Sequence, residues 1–247
     1  MKYFRMRPFL LALALLVPVA RAQINSALLI DPNPDLKFPA RNLDVTVPSH
    51  STPLQGVLYL AEGNKPHPTA LLLNGAGSEQ NTDLAQTLRR AGWNILSVHP
   101  RGTAGVPGTY TPATAMEDAE AAYAFLQTNA TTYFADPKKI VPLGYSEGAT
   151  AALSLFAQNP QIPAVVLISL PTPAAPDAPK VAARPVLLFS AEDGSAPQTE
   201  ALLLAIKPAS PHSLHMHMRT DHNYATLRIA LQSITVDWLA RQFRPER

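Results

Sequence analysis

Short apolar runs alternate with helix-like stretches along most of this chain, and that alternation limits the folds open to it. Residues 43–47 and 56–60 alternate apolar and polar side chains, as the two arms of a hairpin do. Residues 70–73, 94–98, 140–143, 164–169, 186–190 and 213–218 form short apolar strands. Residues 82–91, 117–126, 147–157 and 201–206 read as helices, the first with Asn81 as cap and Gly92 as its end. Leu227, Leu231, Ile234 and Trp238 recur at helical spacing in a closing helix. Strands this short and apolar, separated by helices, predict an α/β fold: a mainly parallel, twisted sheet with helices on both faces. Ligands of such sheets bind beyond the carboxyl ends of the strands, so the loops that follow strands are the places to look for chemistry.

The ends of the chain differ from its middle. Lys2, Arg5 and Arg7 precede an apolar run from Phe9 to Ala20, and Ala20-Arg21-Ala22 has the small-x-small form of a cleavage site. Residues 1–22 therefore read as a bacterial secretory signal peptide, cleaved after Ala22, which sends the protein to the periplasm or beyond. The run is short for a membrane span, which needs about 20 apolar residues, and no stable membrane insertion is expected after cleavage. Pro32, Pro34 and Pro39 mark residues 23–41 as an extended lead-in, and residues 42–247 are read as one domain. Hydrophobic residues at 47% and charged residues at 15% exclude a disordered chain. A net charge of +2 with no basic stripe argues against a nucleic-acid partner. The absence of cysteine excludes disulfides and a thiol nucleophile.

Gly144-Tyr145-Ser146-Glu147-Gly148 joins the strand at 140–143 to the helix at 147–157. A sharp strand-to-helix turn strains a serine and presents its hydroxyl, while flanking glycines let strand and helix pack closely. The helix start aims free amides and the positive end of its dipole at the same place. An ordinary tight turn can show the same pattern, so the weight lies in the buried strand and the small-residue helix around it. A serine also needs a base to take its proton and an acid to orient that base. Ala191-Glu192-Asp193-Gly194 follows the strand at 186–190, and Thr220-Asp221-His222-Asn223-Tyr224 follows the last strand.

These segments resemble the α/β-hydrolase family, in particular its small secreted esterases and dienelactone hydrolases. The family runs in the order serine, acid, histidine. The resemblance implies Ser146 as nucleophile, His222 as general base and then acid, and Asp193 as its orienter. Glu192 is the nearest rival acid, Asp177 would suit a variant with the acid one strand earlier, and Asp221 is too close in sequence to reach the far ring nitrogen. Leu73-Asn74-Gly75-Ala76-Gly77-Ser78 is similar to the family's oxyanion loop, His-Gly-x-Gly, with Asn74 in place of the histidine. That likeness implies the amides of Ala76 and Glu147 as oxyanion donors. Ala91-Gly92-Trp93 and His99-Pro100-Arg101-Gly102 extend the resemblance, with His99 where similar sequences carry an aspartate. The prolines from Pro171 to Pro185 block a regular helix and stand where the family often inserts a cap, so no lid domain and an open site are expected.

The resemblance implies a serine hydrolase that cleaves carboxylic esters, small or exposed, through an acyl-enzyme, without cofactor or metal. A peptidase or thioesterase on the same fold, or a non-catalytic binding protein, remains an open alternative. His215 and His217 alternate on one strand face, a spacing some metal sites use, but no third ligand accompanies them and they read as strand residues. His50, His67 and His212 read as solvated loop residues, and His99 as a group that could line the site.

Overall fold

The computed structural model describes residues 25–76, 82–171, 178–181 and 183–243. The signal peptide at residues 1–22, the Asn81 cap and Asp177 lie outside the described residues. Residues 25–40 carry one 3-10 turn, Ser26–Leu28, and no strand.

The strands are β1 Arg41–Ser49, β2 Thr52–Leu60, β3 His67–Leu73, β4 Asn94–Val98, β5 Ala135–Tyr145, β6 Val165–Ile168, β7 Val186–Ser190 and β8 Leu214–His217. The helices are α1 Thr82–Arg90, α2 Pro112–Thr128, α3 Glu147–Gln158, α4 Ala178–Val181, α5 Ala196–Ile206 and α6 Arg228–Gln242. All eight strands form one sheet in the order β1-β2-β4-β3-β5-β6-β7-β8. β2 pairs antiparallel with both β1 and β4, and the pairs from β4 to β8 are parallel.

β4, β6 and β7 are buried at every position, which is why they read as continuous apolar runs rather than alternating ones. Side chains of successive strand residues enter two separate cores. Leu71, Leu96, Leu167 and Leu188 pack with residues of α2, α3 and α5, while Leu72, Ile95, Val166 and Leu187 pack with residues of α1 and α6. No described helix is long and apolar enough to cross a membrane.

Two helices begin earlier than their sequence pattern suggests. α2 starts at Pro112 rather than Glu117, because Thr111 and Thr114 cap each other reciprocally and Pro112 fills a first-turn position that needs no amide partner. α5 starts at Ala196 rather than Ala201, again with a proline in its first turn. In the proline-rich stretch between β6 and β7, α4 still forms one helical turn of four residues.

The sheet order creates the site. β3 and β5 are neighbours, but the chain leaves β3 for β4 on one side and leaves β5 for β6 on the other. Their following loops diverge, which opens a crevice at the carboxyl ends of the two strands. The loop after β4, beside this crevice, is tied to α2 by a buried ion pair. Asp118, 2% exposed at its side chain, accepts from Arg101 Nη2 at 2.7 Å and from Arg101 N at 2.9 Å, and Ser49 Oγ on β1 donates to it at 2.8 Å. Removing one partner of such a pair strands the other charge in the interior. Asp118→Ala is therefore expected to lower the free energy of unfolding by about 3 kcal/mol, read as a lower urea midpoint at an unchanged slope.

Candidate active site

Ser146 sits between β5 and α3 with φ 55° and ψ −126°. A positive φ at a residue with a side chain costs about 1–3 kcal/mol and persists only where its surroundings dictate it. Here they do. Ser146 N donates to Ile168 O of the neighbouring strand at 2.9 Å, and Ser146 O accepts from Ala149 N at 2.8 Å. The glycines on either side are required by close approach. A Cβ on Gly144 would lie 2.4 Å from the backbone of Ala149, and one on Gly148 would lie 2.2 Å from Leu73 O. α3 is thus pressed against both β5 and the end of β3, and the turn between them has no other shape to take.

The serine is 8% exposed, and its hydroxyl points at its neighbour: Ser146 Oγ donates to Glu147 Oε2 at 2.9 Å. The same carboxylate crosses the loop after β3, where a Cβ on Gly75 would stand 2.1 Å from Glu147 Oε2 and 3.1 Å from Glu147 N. Ala76 and Glu147, the two residues expected to supply oxyanion amides, line one cavity of about 340 Å³ with Tyr110, Ala115, Met116 and Ala151. Burial, together with the nearby charges of Glu147 and Asp118, pushes the Tyr110 hydroxyl up to about 12.

The loops after β7 and β8 bring Asp193 and His222 together. His222 Nδ1 donates to Asp193 Oδ2 at 2.7 Å; the Asp193 side chain is 9% exposed and that of His222 is 44% exposed. The other oxygen, Asp193 Oδ1, accepts from Ser195 Oγ at 2.5 Å and Ser195 N at 3.0 Å. Burial pushes the Asp193 carboxyl upward, but donors from Ser195, Ser169 and His222 outweigh it and hold the group well below the ordinary carboxylate range. Tyr145, the residue before Ser146, links the two halves of the site. Its hydroxyl donates to His222 O, and its ring meets the His222 ring edge-on at 5.2 Å. Among the described residues, no hydrogen bond joins His222 to Ser146.

The rival assignments fall elsewhere. Glu192 has a side chain 58% exposed and faces Arg219 at 3.6 Å. Asp221 accepts from Ala225 N at 2.9 Å. His99 directly follows β4, with its amide donating to Gln55 O at 2.8 Å. His67 is a half-buried residue of β3 rather than a solvated loop residue, with Nδ1 3.0 Å from Gly92 O. His215 Nε2 and His217 Nδ1 converge on Ser190 Oγ at 2.7 and 3.0 Å. Among the described residues there is no group of three or more His, Asp or Glu able to hold a metal. Ser195, Ser169, Tyr145 and Tyr224, whose hydroxyl is 3.1 Å from Ser169 Oγ, were not singled out as site residues in the sequence. Only Ser195 had a signal there, an Asp followed two residues later by Ser, the spacing of a side-chain-to-backbone turn.

Solved structures show what this arrangement is similar to. An esterase of Pyrococcus furiosus superposes with a TM-score of 0.70 at 15% identity, over 87% of this chain and 98% of that one. A dienelactone hydrolase of Anabaena variabilis gives 0.69 at 21% identity, over 83% and 99%. An acylaminoacyl peptidase of Pyrococcus horikoshii gives 0.68 at 16% identity, over 86% of this chain and 43% of the peptidase. No family model and no curated protein matches the sequence. The chain has the α/β-hydrolase fold.

The Asp193 environment carries a pH signature. A depressed carboxyl stabilises the fold above its unfolded value, about 3.9, and that contribution disappears as pH falls through the lower folded value. Ser195→Ala removes one donor to the ionised form. At neutral pH it should destabilise the fold by about 1–2 kcal/mol, and in acid the gap between variant and wild type should narrow as Asp193 takes up its proton. Urea denaturation across that range measures both.

Proposed function

We propose that the protein is a serine hydrolase that cleaves carboxylic esters through an acyl-enzyme. The observation that carries the proposal is the contact from His222 Nδ1 to buried Asp193 at 2.7 Å, with His222 O held by the hydroxyl of Tyr145, the residue before Ser146. That contact fixes the imidazole so that Nε2 is the free, basic nitrogen. The esterases among the similar structures support the choice of ester.

In the proposed cycle, Ser146 Oγ attacks the ester carbonyl while His222 Nε2 takes its proton. The carbonyl electron pair moves onto oxygen, and the amides of Glu147 and Ala76 stabilise that oxyanion. Collapse breaks the bond to the alcohol oxygen, which leaves with the proton from His222. Water then adds to the acyl-enzyme with His222 as base, and the acid departs as Ser146 regains its proton. Asp193 stays ionised throughout and stabilises the imidazolium. Ser146 Oγ must first turn from Glu147 toward His222, since catalytic hydrogen bonds often form only once substrate is bound.

The test is a panel of p-nitrophenyl esters from acetate to octanoate. Wild type should turn over at least the shorter ones. Ser146→Ala and His222→Ala should each lose activity by roughly 10⁴-fold or more. Equal rates for wild type and Ser146→Ala would reject the proposed nucleophile.

A further inference from the structure

The cycle above uses the amide of Glu147 and leaves its carboxylate idle, yet that carboxylate is the group bonded to the nucleophile. Oε2 lies 2.9 Å from Ser146 Oγ and crosses Gly75 so closely that any Cβ there would overlap it. It therefore stands between the serine and the loop expected to receive the oxyanion. Negative charge develops in that space during acylation. A full carboxylate there opposes it, and a neutral substrate brings nothing to offset the repulsion. Glu147 also lines the cavity of about 340 Å³, whose other walls include Ala76, Ala115, Met116 and Ala151. No lysine or arginine lines this cavity among the described residues. Tyr110 Oη is buried at its edge without a hydrogen-bond partner. The cavity is thus mainly apolar, with Thr111, Thr150 and Ser154 adding hydroxyls to its lining, and it adjoins Ser146 through Glu147, an exposed residue that brings the one negative charge.

We propose that Glu147 determines specificity, selecting acyl groups that carry a protonated amine on the carbon next to the scissile carbonyl. This rests on the serine-hydrolase reading. Such an ammonium is two bonds from the carbon that Ser146 attacks, within reach of a carboxylate hydrogen-bonded to the attacking oxygen. It takes over Glu147 Oε2, releases the Ser146 proton toward His222 and offsets the carboxylate as the oxyanion forms. The apolar walls receive the remainder of the acyl side chain, and the Tyr110 hydroxyl offers it one polar contact. An acyl group bearing its own carboxylate is repelled from the same place. The preferred substrates are aminoacyl esters, and acidic half-esters are the poorest.

The test compares kcat/KM for the p-nitrophenyl esters of alanine, with its amine protonated, of propionate, and of succinate as the half-ester. Wild type and Glu147→Gln are measured side by side. Glutamine keeps the size and the acceptor oxygen but removes the charge. The alanine-to-propionate ratio should fall by about 10-fold or more in Glu147→Gln, the scale on which a charge-assisted hydrogen bond exceeds a neutral one. The succinate-to-propionate ratio should rise. The amino ester is more reactive in itself, but that difference cancels because both enzymes meet the same substrates. Glu147→Asp, which keeps the charge, should keep the preference for alanine and guards against a variant that merely disturbs the turn. An alanine-to-propionate ratio unchanged by Glu147→Gln overturns the proposal. If propionate ester hydrolysis still depends on Ser146 in that case, the hydrolase reading stands without it. If wild type hydrolyses none of the three, both fail.

Discussion

Ser146 holds a backbone conformation that L-residues avoid, with φ 55°, and it does so because two pieces of backbone have nowhere else to go. Gly144 and Gly148 let α3 approach β5 and the end of β3 to distances at which a single methyl group would collide with main chain. That packing fixes the turn, and the turn sets the direction of the serine, of the first amide of α3 and of the Glu147 side chain. The crevice depends on the same contact, since β3 and β5 are the neighbours from which the chain departs in opposite directions. A strain of about 1–3 kcal/mol is small beside the apolar burial of β5, β6 and α3, where most residues are fully enclosed, so the fold can sustain it.

The acid and histidine loops use a different balance. Burial alone would raise the Asp193 carboxyl. Ser195 answers with both its amide and its hydroxyl, and Ser169 adds a further donor, so the ionised form prevails. Ser169 is itself within 3.1 Å of the Tyr224 hydroxyl, and Tyr145 anchors His222 through its carbonyl. The side chains on each side of Ser146 therefore hold different groups. Tyr145 fastens His222 through its carbonyl, and Glu147 holds the Ser146 hydroxyl.

The middle of the sheet was legible because its strands are buried on both faces, so β4 and β7 appear as short, mainly apolar runs with the same limits in sequence and structure. The starts of α2 and α5 were not, because prolines in a first turn look like helix breakers until the cap is known, and Thr111 with Thr114 lacks the usual acidic partner of a capping box. Asp193 and His222 could be paired from chain order, since a family resemblance carries that order. The resemblance already favoured Asp193 over Glu192, and the two adjacent carboxylates do face opposite environments. The Glu147 contact with Ser146 left no trace in spacing at all. Neighbouring residues normally face apart, and only the positive φ at Ser146 turns the two side chains together.

On the proposed mechanism, the turn at Ser146, with Asp193 and His222 behind it, makes that one serine the nucleophile. Treatment of the folded protein with a fluorophosphonate probe, followed by intact mass and peptide mapping, tests this directly. The account predicts one adduct per chain, on Ser146, with labelling abolished in His222→Ala and in urea-unfolded protein. An unlabelled chain, or an adduct on any other residue of the folded protein, would contradict it.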